Sequence, residues 1–113
     1  MPVRDWKFRI SDLLDAVQDV LDITGGMDYE AFRLDKKSLK AVLYNLVVIG
    51  EAARKLPEEV TAKYPDIPWR EMGDMRNVVI HEYFGTDTKI LWETIKTELP
   101  PLVNKLKDIL TSG

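Results

Sequence analysis

In every apolar segment of this chain the large hydrophobic residues recur at spacings of three and four, and sustained period-two alternation is missing. That rhythm puts apolar side chains on one face of a helix and leaves no candidate for a half-buried strand. In the first segment Trp6, Ile10, Leu13, Leu14, Val17, Val20 and Leu21 form such a face over about five turns, while Asp12, Asp15, Asp19 and Asp22 line another. Gly25 and Gly26 end it, where a left-handed cap is needed. Asp35 or Ser38 caps a second helix carrying Leu39, Val42, Leu43, Leu46, Val47, Ile49, Ala53 and Leu56. Ala41, Val48 and Ala52 make this helix apolar almost all round, so it is expected to be the central, most buried one. Gly50, Ala52 and Ala53 are small enough to let a neighbouring helix approach closely.

Pro57 stops that segment, and residues 58–64 are expected to form one or two short turns. Pro65-Asp66-Ile67-Pro68 reads as a turn that opens a helix from about Trp69 to Tyr83, with Pro68 as its first residue. Gly85 breaks it, Thr86 or Asp87 caps the last helix, and Pro100-Pro101 should kink or split that helix near Leu99. The expected fold is all-α, an up-and-down bundle of four to five helices forming a single domain over residues 1–113.

Bulk properties restrict the function. With 113 residues, 45% hydrophobic and 31% charged, the chain can bury one core without disulfides. The absence of cysteine excludes a thiolate zinc site, and one histidine leaves only carboxylates, none grouped like a metal-binding loop. No apolar run nears the ~20 residues of a membrane helix, and Met1–Trp6 lacks the apolar stretch of a signal peptide, so the chain is expected in the cytoplasm. A net charge of −3 argues against a general nucleic-acid coat. Residues 1–35 hold eight acidic and four basic side chains, a net −4, which leaves residues 36–113 at +1. An acidic average is thus compatible with a local phosphate site.

The sole histidine, His81, lies in the run Arg76-Asn77-Val78-Val79-Ile80-His81-Glu82-Tyr83, an R-x4-H-x-Y pattern. Arginine brings a permanent charge and a planar fork of donors that matches phosphate. Histidine exchanges a proton near neutrality, and tyrosine offers a phenol. On an ideal helix Arg76 and Tyr83 share a face, whereas Arg76 and His81 differ by roughly 140°. Either the helix loosens before Gly85, or a second chain completes the site. A two-fold dimer would turn one histidine per chain into a pair able to act as base and acid together. The structural alternative pairs Arg76 with Asp74 or Glu82 on a solvated face and makes His81 a helix-end partner.

Other residues carry two readings each. Glu51, on an otherwise apolar helix, either orients Arg76 or His81 or pairs at an exposed edge with Lys55. Asn45 and Tyr44 favour core hydrogen bonding. The aspartate stripe and the small basic patch of Lys36, Lys37 and Lys40 read as solvated faces, with a basic partner surface and a nucleic-acid backbone as the respective alternatives, and Trp6, Trp69 and Trp92 read as packing residues.

Taken in order, these features resemble the HepT-like branch of the HEPN superfamily. The resemblance rests on Arg76, His81 and Tyr83 with Asn77 after the arginine, on Asn45 and Ile49-Gly50-Glu51-Ala52-Ala53, on Pro68-Trp69 and on Leu99-Pro100, and spans about residues 5–110. It implies a metal-independent endoribonuclease that works as a homodimer without a cofactor, the toxin of a toxin–antitoxin pair. Its partner would be an MntA-type minimal nucleotidyltransferase that silences it by transferring AMP to the motif tyrosine, with higher assembly between the two. Carried over, His81 is the general acid/base, Arg76 the phosphate clamp, Tyr83 the AMPylation target and Asn77 an orienting residue, with Glu51 and Asn45 in support. The alternative is a non-catalytic HEPN module that binds a nucleotide or the transferase partner.

Overall fold

A computed structural model describes residues 3–77, 79 and 88–112, the side chains from Trp6 onward. His81, Tyr83, the Gly85 break and the Thr86 or Asp87 cap lie outside the described residues. Helix α1 (Val3–Thr24) buries Ile10, Leu13, Val17 and Val20 completely, the face that the three-four spacing marks out. At its end Thr24 is fully buried because its hydroxyl donates to the Val20 carbonyl at 2.8 Å. Gly26 then turns the chain with φ of +83°, the one positive φ among the described residues, which glycine adopts without strain.

A short helix follows that the periodicity does not reveal. Helix α2 (Tyr29–Leu34) starts on Asp28, whose carboxylate accepts from the Ala31 N–H at 2.8 Å. Six residues are too few to display a period, but they place the fully buried Phe32 against Trp92 with ring centroids 5.1 Å apart. Asp35 caps helix α3 (Lys36–Arg54), accepting from the Ser38 N–H at 3.1 Å and from its hydroxyl at 2.9 Å. The expected short turns after Pro57 form α4 (Glu58–Lys63). Helix α5 (Trp69–Gly73) comes next, then α6 (Thr88–Thr97) and α7 (Pro100–Thr111), which the two prolines separate as expected.

Among the described residues all regular structure is helical. Two sequence expectations need correction. Helix α1 packs along α3 and α7, and α3 packs against α1, α5 and α2 without being buried all round. Its Tyr44 is 70% exposed and Val47 36%, because a helix that is apolar all round is buried all round only where neighbours cover every face. The motif helix is also not continuous from Trp69. It stops at Gly73, turns at Asp74 and resumes at residues 75–77. The core is completed by Leu91, Ile95, Leu102 and Leu106, each at most 2% exposed.

Candidate active site

The last turns of α3 hold the segment that carries Arg76. Gly50 is buried where the two backbones meet. A methyl group there would lie 3.2 Å from the Arg76 nitrogen, 3.2 Å from the Gly73 carbonyl oxygen and 3.3 Å from the Arg76 Cβ. Two of those neighbours are backbone atoms, so glycine is what permits the approach. One residue on, the Glu51 carboxylate accepts from Arg76 Nη1 at 2.7 Å, a charge-assisted bond across 25 positions of sequence. This bond, with the guanidinium charge behind it and smaller contributions from Lys55 and Arg54, holds the Glu51 pKa below the ordinary carboxylate value.

Of the partners considered for Glu51, the carboxylate is bonded to Arg76. The alternative partner proposed for Arg76, Asp74, faces Arg54 instead, with Nη2 to Oδ1 at 3.6 Å. Glu82 lies outside the described residues. Arg76 keeps 44% of its side chain exposed and Glu51 39%, so the guanidinium is anchored yet reachable from solvent.

Arg54 makes a second contact, which the sequence did not single out. Its Nε donates to the Gly73 carbonyl at 2.9 Å. In a continuous helix that carbonyl would accept from the N–H of residue 77. Here the Asn77 N–H donates to Asp74 at 2.9 Å, three residues back, and the helix tightens at that point. The hint in the sequence was the spacing of Gly50, Glu51 and Arg54 on one turn of helix, next to a glycine that implied close approach.

The remaining candidates are dispersed. Asn77 is exposed beside Arg76. Asn45 is buried, and its amide donates to the Ala41 carbonyl one turn earlier at 2.9 Å, so it serves α3 internally. The predicted packing role of the tryptophans holds, with Trp6, Trp69 and Trp92 all partly buried against the core. Among the described residues no cluster of histidine and carboxylate side chains is arranged to hold a metal ion, and no helix is long and apolar enough to cross a membrane.

Next to this site, an open groove of about 560 Å³ runs along the uncovered face of α3. Leu39, Leu43, Tyr44, Val47 and Val79 line it, with Lys36 and Lys40 beside them. Val79 belongs to the R-x4-H-x-Y run, so the groove and the motif adjoin.

Residues 13–109 match the family model described as "Ribonuclease HepT-like". A Methanocaldococcus jannaschii protein named "Putative RNase MJ0125" is 42% identical over 97% of this chain and 95% of its own length. The "Probable ribonuclease HepT" of Thermococcus cleftensis is 38% identical over 94% of the chain and 96% of its own length. A Caldanaerobacter subterraneus protein named "Putative RNase TTE0752" is 37% identical over 89% and 90% respectively. No solved structure matches the chain significantly. An all-α fold, a complete R-x4-H-x-Y run and a family match over most of the length agree, and the chain belongs to the ribonuclease HepT-like family of the HEPN superfamily.

Proposed function

We propose that this chain is a metal-independent endoribonuclease, the toxin of a toxin–antitoxin pair, acting through Arg76 and His81 as a homodimer. The observation that carries the reading is the match of residues 13–109 to the family together with the complete motif Arg76, His81 and Tyr83. The geometry of Arg76 supports it. An arginine tethered by one carboxylate and still 44% exposed can turn the rest of its fork to a non-bridging phosphate oxygen.

In this reading the substrate supplies its own nucleophile. A neutral imidazole takes the proton of a ribose 2′-hydroxyl, the 2′-oxygen attacks the adjacent phosphorus, and the bond from phosphorus to the 5′-oxygen breaks. A protonated imidazole gives its proton to that leaving oxygen. The products are a 2′,3′-cyclic phosphate and a 5′-hydroxyl end. Arg76 stabilises the charge that builds on the phosphorane oxygens, Asn77 orients the group at the site, and Glu51 holds Arg76. Asn45 contributes only through α3. Because one histidine cannot be neutral and protonated at once, the second comes from a partner protomer. The apolar groove beside Val79 supports that arrangement, since a second copy seated on it would border both motifs.

Control by an MntA-type nucleotidyltransferase follows the same chemistry. AMP joined to the Tyr83 hydroxyl sets an anionic phosphodiester two residues from His81, where it competes for Arg76 and repels an RNA phosphate. The test is product analysis on total cellular RNA in EDTA. New 2′,3′-cyclic phosphate ends, lost when the transferase partner adds an AMP mass to Tyr83, are expected. Stoichiometric nucleotide binding with no new ends from unmodified protein would replace this reading with that of a non-catalytic binding module.

A further inference from the structure

We infer that Arg54 is a positioning residue for Arg76, acting through the Gly73 carbonyl. In a regular helix the carbonyl of residue 73 accepts from the N–H of residue 77. Here Arg54 Nε takes that carbonyl at 2.9 Å, and the Asn77 N–H closes on Asp74 instead. The exchange ends α5 at Gly73 and restarts the helix at residue 75, so the direction in which residue 76 leaves the backbone is set at this junction.

The same guanidinium reaches Asp74 with its Nη2, fixing the turn residue from the side. Gly73 is the matching half of the contact. A methyl group at Gly73 would fall 3.1 Å from Arg54 Cγ, so an alanine there would press on the arginine stem where it crosses the chain. Gly50, Glu51 and Arg54 thus form one device on one turn of α3: close approach to the backbone, a bond to the Arg76 side chain, and a bond to the carbonyl three residues before it.

The activity arm of the test rests on the ribonuclease reading, while a titration arm does not. The Glu51 carboxyl reports the Arg76 contact, since that bond is the largest cause of its lowered pKa. Arg54→Gln removes the grip on Gly73 along with one nearby charge. Lys55→Gln removes a neighbouring charge that acts on Glu51 at least as strongly, while the Gly73 carbonyl is held by Arg54.

With carbon-13 NMR of Glu51, the midpoint is expected to rise clearly more in Arg54→Gln than in Lys55→Gln. In RNA cleavage, Arg54→Gln should lower kcat by about ten-fold with KM within about two-fold, and Lys55→Gln should match wild type. Gly73→Ala, which pushes the arginine stem aside without removing it, should reproduce both effects and carries the test alone if Arg54→Gln fails to fold by circular dichroism. Equal Glu51 midpoints in the Arg54 and Lys55 variants, with the fold intact, would overturn the inference. A wild type that cuts no RNA would sink the ribonuclease reading but leave the titration to decide this one.

Discussion

At the scale of single residues, Glu51 and Arg76 join α3 to the segment that carries the motif. Their contact at 2.7 Å explains why a carboxylate is placed on a helix that is otherwise mostly apolar. The Arg76 bond lowers the Glu51 pKa, so the pair is intact above the ordinary carboxylate range. It is lost as pH falls through the lowered folded value, because protonation removes the acceptor charge. Arg76→Ala is expected to return the Glu51 midpoint to the ordinary range by carbon-13 NMR; a midpoint left where it was would mean that the contact does not persist in solution. Glu51→Gln should slow RNA cleavage roughly ten-fold with the fold unchanged, and cleavage at the wild-type rate would strip Glu51 of its orienting role. Glu51 was legible in the sequence as a polar residue out of place, but spacing alone left its partner open between Arg76 or His81 and the nearer Lys55. The role of Arg54 was harder to read, since its bond to Gly73 spans 19 positions and depends on the approach of α3 and α5 at Gly50.

At the scale of elements, most boundaries were written in local chemistry. Gly26 with its positive φ, Asp35 as a side-chain cap and the Pro100-Pro101 split all lie where their residue types require. Two features escaped. The six residues of α2 are too short for periodicity to register, and the break at Asp74 coincides with a tertiary hydrogen bond from Arg54 to the Gly73 carbonyl that no local pattern announces. Gly50→Ala should therefore act beyond its own helix, where alanine is the better former. The new methyl meets backbone at 3.2 Å, so the variant is expected to lose about 1–3 kcal/mol in urea unfolding and to shift the Arg76 resonances. A variant as stable as wild type would show that the two segments are not in close contact.

At the scale of the whole molecule, the all-α class and the general core were readable from spacing alone, because burying one face of each helix is the same demand in sequence and in space. How far α3 would be covered was not. Apolar residues around α3 suggested full burial, and the structure instead leaves Tyr44 and Val47 open in a groove beside the motif. An apolar face of that kind, adjoining a site that needs a second histidine, is where the proposed homodimer would close. Tyr44→Glu combined with Val47→Glu should give a folded monomer by light scattering that no longer cuts RNA. A dimer that survives both charges would move the interface elsewhere. The central claim is tested most directly by single-turnover cleavage of RNA in EDTA, with wild type beside Arg76→Ala and His81→Ala after intact-mass measurement excludes AMP adducts. Cleavage by the wild type that is lost in both folded variants is expected, whereas a folded His81→Ala protein that cuts as well as wild type would rule out a histidine-centred ribonuclease.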